Sequence, residues 1–242
     1  MNGAPDTAMV LAAGLGIRMR PITATKPKPL IEVAGKPLLD WGLDSLAEVG
    51  VAKAVVNVHY LPEQIVAHVS RRQKPRIVIS DEGEALLDSA GGIVKALPEL
   101  GPKPFYVINA DTFWVDESEP NLGRLAAAWD ESKMDMLLML ADLQSATGHS
   151  GGTDFLLAPD GRLSRASGDP SGLIYAGAAI VQPRIFAGAT IAKHSLNLYF
   201  DRAIAAGRLF GLRMNGSWIT VGTPDALAPA EASVARAQAV GA

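Results

Sequence analysis

The stretch that most limits what this chain can become is Ala12-Ala13-Gly14-Leu15-Gly16-Ile17-Arg18-Met19-Arg20-Pro21, which runs straight on from the apolar segment Ala8–Ala12. A short apolar run cut off by glycines predicts a buried strand that turns sharply into a loop. Glycines there let backbone N–H groups approach an anion without obstruction by a Cβ. Glycine alone is a weak signal, since many tight strand-to-helix turns use it. The third glycine of the dinucleotide fingerprint is missing, and no G-x-x-x-x-G-K-[ST] loop occurs. Arg18 stands two residues past the second glycine instead, where its fork suits bidentate contact with phosphate. Thr25-Lys26-Pro27-Lys28-Pro29-Leu30 follows, and its prolines predict an extended, helix-free support for Lys28. Taken alone, Lys28 reads as a solvated lysine in a Pro-rich loop.

From this loop onward, strand-like and helix-like patterns alternate. Ala8–Ala12, Lys53–Val58, Arg76–Ser80 and Phe105–Asn109 read as strands. Pro37–Val49, Pro62–Arg72, Ala90–Leu97 and Leu122–Trp129 carry apolar residues at helical spacing. Such alternation predicts a mostly parallel sheet with right-handed crossovers. The second half is less regular. Strands are expected at Met134–Leu140, Thr153–Leu157, Ile174–Val181 and Leu209–Met214, with helices at Ser195–Ala206 and Pro224–Ala239 and a hairpin turn at Pro159-Asp160-Gly161. With no long linker and no repeat, residues 1–242 read as one domain.

Composition narrows the partners. A net charge of −3 gives no support for nucleic acid, and the clustered cations between Arg18 and Lys36 suit a small phosphorylated ligand or, more plainly, a solvated face. The absence of cysteine excludes disulfides and thiolate metal sites. Met1–Thr7 is polar and Ala8–Ala13 is too short for a signal peptide, and no apolar run reaches membrane-spanning length, so a cytoplasmic protein without a membrane partner is expected.

Three ordered motifs together resemble the sugar-1-phosphate nucleotidyltransferase family. They are the L-A-A-G-x-G-x-R-M-x-P-x-T opening, the P-K-P-L at Pro27–Leu30, and Gly35-Lys36-Pro37-Leu38-Leu39. The resemblance continues through Ala90-Gly91-Gly92, Asn109-Ala110-Asp111 and Trp218-Ile219-Thr220-Val221-Gly222-Thr223-Pro224, nearly the whole chain. It implies a Rossmann-like α/β fold, a mostly parallel mixed sheet flanked by helices with a small sugar-binding lobe. It also implies a reaction between a nucleoside triphosphate and a sugar 1-phosphate that yields a nucleotide sugar and pyrophosphate. Ala13, Gly14, Gly16 and Arg18 would hold the triphosphate, Lys28 would meet the phosphates at the reacting centre, and Asp111 would bind Mg²⁺. Ala90 and Gly91, with Gly92, would present backbone groups to the base. Asn109, Asp154 and Gly177 would face the sugar. Arg18, Lys28 and Asp111 are then the catalytic set. On the residues alone, Asp111 could equally cap the loop after its strand, and the glycines at 91 and 92 could simply open a helix with Asp88 or Ser89 as cap.

Two departures from the family pattern stand out. Relatives carry a second metal-binding aspartate where this chain has Thr220. Asp225 lies close by, but Thr223-Pro224-Asp225 reads as a helix cap, an N1 proline and a first-turn acid. Leu163–Gly172 lacks the glutamate-lysine-proline motif of many relatives, and no C-terminal β-helix follows. Both absences resemble the short N-acetylmuramate-1-phosphate uridylyltransferases of cell-wall recycling. Guanylyltransferases acting on mannose or heptose 1-phosphate, and a non-catalytic nucleotide-sugar sensor, remain alternatives. The four tryptophans read as packing residues, and the four histidines show no metal-ligand spacing. His149, in the Gly148–Gly152 stretch, reads as part of a mobile solvated loop.

Overall fold

The computed structural model describes residues 3–240; the terminal residues of the expected 1–242 domain, Met1 and Asn2 of the polar N-terminus among them, lie outside it. β1 (Thr7–Leu11) enters the glycine loop, which passes through three single 3₁₀ turns to a ribbon of β2 (Glu32–Val33) and β3 (Lys36–Pro37). Then come α1 (Leu38–Glu48), β4 (Lys53–Val58), α2 (Pro62–Val69), β5 (Arg76–Asp81), α3 (Asp88–Leu100), β6 (Phe105–Asn109), β7 (Thr112–Val115) and α4 (Asn121–Ala128). The second half holds β8 (Met136–Ala141), β9 (Phe155–Leu157), β10 (Leu163–Arg165), β11 (Ile174–Val181), α5 (Asn197–Ala205), β12 (Leu209–Arg213), β13 (Ser217–Thr220) and α6 (Leu227–Val240).

Seven strands form the central sheet in the order β12-β8-β11-β6-β1-β4-β5. β6, β1, β4 and β5 run parallel, β8 and β12 are parallel to each other, and β11 is antiparallel to both its neighbours. Alternation within the strands divides the core. Ala8, Val10, Val56, Tyr106 and Ile108 face α1, α2 and α4, whereas Met9, Val55 and Val107 face α3 and α5. A strand buried on both faces has no polar side to show, which is why the central strands read as continuous apolar runs.

The chain leaves β1 toward β4 through α1 on one face, and returns from β5 to β6 through α3 on the other. The C-terminal ends of β1 and β6 therefore form the crevice where an open α/β sheet binds its ligand. Leu11 and Asn109 are register partners there. Two small antiparallel pairs sit outside the sheet: β9–β10, whose turn at Gly161 (φ +87°) is the expected hairpin, and β7–β13. A third apolar cluster joins Met19, Ile31, Phe113, Ile219 and Val221 to Ala230 and Val234 of α6.

Several expectations need correction. Lys28–Leu30 forms a 3₁₀ turn rather than an extended support. Pro27 is extended as expected, but Pro29 fits inside the turn because its fixed φ suits it and its missing N–H was not needed. α3 starts earlier than its glycines, with Asp88 at φ +62°, and runs through Pro98 to Leu100, with Gly101 as its C-cap. Neither suggested cap serves it: Asp88 Oδ1 accepts from Ser89 N, and Ser89 Oγ accepts from Leu196 N. Thr223 makes no side-chain cap bond either; the chain enters α6 through a 3₁₀ turn at Pro224–Ala226.

Candidate active site

The glycine loop is shaped by a few close approaches. Gly16 adopts φ +62°, and a Cβ there would stand 3.0 Å from both Lys28 Cβ and Thr23 Cγ2. Thr23 Oγ1 donates to Gly16 O at 2.8 Å and locks the loop onto the segment bearing the lysine. Gly14, by contrast, faces open space, as a backbone that is to receive an anion must. The following turn exposes Arg18 while burying Met19 completely. The Arg18 guanidinium lies along the backbone of Gly222, about 3.6 Å from where a Cβ would be, and forms no ion pair among the described residues.

Lys28 is buried and donates from Nζ to Asp111 Oδ2 at 2.7 Å. Asp111 follows Asn109 at the end of β6, and its carboxylate remains almost half exposed. Val221 N donates to Asp111 O, and Thr220 pairs with Thr112 across β7–β13. The backbone therefore sets Thr220 beside Asp111. No group of three or more His, Asp or Glu side chains suited to a metal occurs among the described residues. A cation at this edge would rest on one carboxylate, with hydroxyl, phosphate and water oxygens completing its shell. Mg²⁺ accepts such an all-oxygen set with one or two carboxylates, so the residues fit it.

Two of the backbone donors expected at the base are engaged within the chain: the N–H groups of Ala90 and Gly91 both donate to His194 O, at 3.1 and 3.2 Å. A Cβ on Gly91 would stand 2.1 Å from Ala192 O, so the glycine serves close approach of the 192–194 segment. The Gly148–Gly152 stretch is not a free loop at its start. Thr147 N donates to Trp218 O, Thr220 N donates to Thr147 O, and a Cβ on Gly148 would collide with Thr220 O. His149 lies tilted against Trp218, with ring centroids 5.6 Å apart. The tryptophans pack as expected; Trp41 stacks on Phe113, and Trp218 Nε1 donates to Thr112 Oγ1 at 2.7 Å.

Of the residues expected at the sugar, Asn109 and Asp154 line one cavity of about 220 Å³. Asp154 Oδ2 accepts from Tyr175 N at 2.8 Å. Gly177, at φ +80°, sits in the irregularity of β11 rather than on the cavity wall. A Cβ there would press on Thr112 Cγ2 at 2.6 Å and on Asn109, so glycine lets β11 close on the strand end.

The sequence reading missed a buried polar bridge. Asn57 Oδ1 accepts from Ala12 N, Asn57 Nδ2 donates to Glu82 Oε1, and Glu82 Oε2 accepts from Leu87 N, each at 2.7 Å. It ties the start of the glycine loop to the segment that opens α3. An asparagine inside Val55-Val56-Asn57-Val58 was the available signal, since a fully buried strand has no other reason to carry an amide.

Comparison with known proteins gives a consistent picture. A family model for a MobA-like NTP transferase domain matches residues 8–162. The chain is 43% identical to an N-acetylmuramate alpha-1-phosphate uridylyltransferase of Caulobacter vibrioides, covering 98% of this chain and 100% of the relative. It is 35% identical to one of Neisseria meningitidis, covering 93% and 96%. Among solved structures, the inositol-1-phosphate CTP transferase of T. maritima superposes with a TM-score of 0.74 at 19% identity, covering 94% of this chain and 93% of that one.

Proposed function

We propose that this chain, which belongs to the MobA-like NTP transferase family and is a sugar-1-phosphate nucleotidyltransferase, joins UTP to N-acetylmuramate 1-phosphate and releases pyrophosphate. The observation that carries the substrate choice is the 43% identity along the full length of a relative with that activity. The geometry supports it: an open glycine loop, an Arg18 with no ion pair among the described residues and a buried Lys28 converge on the strand ends that carry Asp111.

In this reading an oxygen of the sugar phosphate attacks the α-phosphorus in line. The new P–O bond forms as the bond to the bridging oxygen breaks, and pyrophosphate leaves with that electron pair. The attacking group is already an anion, so no side chain need remove a proton and no covalent enzyme intermediate is required. The protein's task is to offset charge and hold two anions together. Arg18 and the N–H groups around Gly14 meet the triphosphate, and Lys28 turns from Asp111 toward the transferring phosphoryl group. Asp111, with the Thr220 hydroxyl beside it, would hold Mg²⁺, whose chemistry there is to neutralise phosphate charge. A nucleoside triphosphate substrate points to the cytoplasm, and the sugar to recycling of cell-wall material. No helix among the described residues is long and apolar enough to cross a membrane.

Pyrophosphate release, measured with Mg²⁺ over a matrix of nucleoside triphosphates and sugar 1-phosphates, tests the proposal. The highest kcat/KM is expected for UTP with N-acetylmuramate 1-phosphate. A preference for GTP with mannose 1-phosphate would replace this assignment, and tight nucleotide-sugar binding without turnover would make the protein a sensor.

A further inference from the structure

The cavity that opens beside Asn109 holds one cationic side chain, Arg165, among its lining residues. Arg165 ends β10 and is held from several directions. Its Nε donates to Asp201 Oδ1 at 2.8 Å, and Nη2 donates to Asn197 O and Oδ1 at 3.2 and 3.0 Å. Its guanidinium carbon lies over the ring of Phe155, 4.9 Å from the centroid. These contacts engage Nε and Nη2, and Nη1 has no partner among the described residues. The aromatic support and the double anchor on α5 hold the guanidinium, and with it Nη1, in place.

Asp154 lines the same cavity, but its Oδ2 already accepts from Tyr175 N, and the other polar side chains there, Ser89, Asn109, Ser195 and Asn197, are neutral. A charged N–H without a partner is matched best by an anionic acceptor: sugar hydroxyls supply oxygen without charge, and a carboxylate supplies both. Asp201 does not cancel the cation inside the cavity, because its side chain is 60% exposed and the pair is screened by solvent.

We infer that Arg165 binds a carboxylate carried by the sugar and so selects an acidic sugar 1-phosphate over its neutral counterpart. This deepens the function proposed above and rests on it: N-acetylmuramate differs from N-acetylglucosamine by a lactyl ether that ends in a carboxylate. Arg165 is a specificity residue in this scheme and takes no part in phosphoryl chemistry.

The test compares wild type, Arg165→Gln and Arg165→Lys, each with UTP and either N-acetylmuramate 1-phosphate or N-acetylglucosamine 1-phosphate. Both sugars carry the same phosphate and differ by the lactyl group. Arg165→Gln is expected to lower kcat/KM for the acidic sugar by about 10- to 100-fold, the usual scale of one charged hydrogen-bonding contact, and to leave the neutral sugar within about threefold. Arg165→Lys should fall between, since it keeps the charge and loses the planar fork. Equal losses on both sugars would mean that Arg165 is structural or binds the shared phosphate, and would overturn the inference. A wild type that makes UDP-N-acetylmuramate without preferring the acidic sugar would overturn it while leaving the function intact. A wild type with no uridylyl transfer to N-acetylmuramate 1-phosphate would remove the function itself.

Discussion

Lys28 and Asp111 are 83 residues apart in the chain, yet their side chains meet at 2.7 Å. That contact sets the behaviour expected of single substitutions. Lys28→Ala leaves a half-exposed Asp111 without its partner and removes a cation from the transferring phosphate. Arg18→Ala removes a cation with no structural partner among the described residues, so it should leave stability almost unchanged. Each is expected to lower turnover by about 10²–10³, as loss of one donor to developing charge usually does. Turnover at saturating substrate, with circular dichroism as a check on folding, decides this; a folded Arg18→Ala variant with wild-type turnover would remove its assigned role. The metal proposal has a separate signature. With Thr220 in place of a carboxylate, most Mg²⁺ should arrive with the triphosphate. Asp111→Asn should nearly abolish activity, and Thr220→Asp should lower the Mg²⁺ concentration that gives half-maximal rate. An unchanged Mg²⁺ titration in Thr220→Asp, together with an active Asp111→Asn, would sink the assignment.

Elements, rather than residues, are what the Asn57–Glu82 bridge holds in place. Glu82 is buried at 5% exposure and accepts only from neutral donors, one on β4 and one at the entrance to α3. Glu82→Ala would leave Asn57 Nδ2 and Leu87 N without acceptors, at a cost of about 1–3 kcal/mol for each buried orphan. It should also let the glycine loop and the α3 entrance drift apart. KM for the triphosphate is therefore expected to rise by about tenfold or more, with less change in KM for the sugar phosphate, and steady-state kinetics with each substrate varied reads this directly. The same scale shows what could be read before the structure. β1, β4 and β6 are mostly apolar runs of five or six residues, and their short length between turn and helix signals was enough to place them. β7 and β13 escaped because each has four residues and finds its partner about a hundred positions away. The ordered glycine-loop, Lys28 and Asp111 motifs located the site. Local motifs could not disclose that the Ala90 and Gly91 N–H groups are committed to His194, because that bond spans about a hundred residues. Nor could they single out Arg165, whose partners lie on α5.

At the scale of the whole molecule, α6 is a brace for the active edge although it contributes no candidate site residue. Ala230 and Val234 pack with Met19, which follows Arg18, and with Ile219 and Val221, which flank Thr220. Glu231 Oε1 also accepts from Ala34 N, joining α6 to the turn after β2. One small apolar cluster thus holds the arginine turn, the strand end beside Asp111 and the C-terminal helix in a single packed unit. Ala230 is fully buried, so Ala230→Asp places an unpaired carboxylate in that unit and should cost about 3 kcal/mol or more. For a chain of this size the midpoint of thermal unfolding should fall by roughly 6–12 °C. The loss should reach function as well. Below the new midpoint, the variant should bind UTP more weakly than wild type, because the loosened cluster no longer fixes Arg18 along Gly222. Excess nucleotide should recover part of the midpoint, since a ligand that binds only the folded state stabilises it. Thermal unfolding with and without UTP and Mg²⁺, combined with calorimetric binding at a temperature where both proteins are folded, measures the two effects separately. A lowered midpoint with unchanged UTP affinity would show that the cluster stabilises the fold and does not hold the triphosphate site in shape.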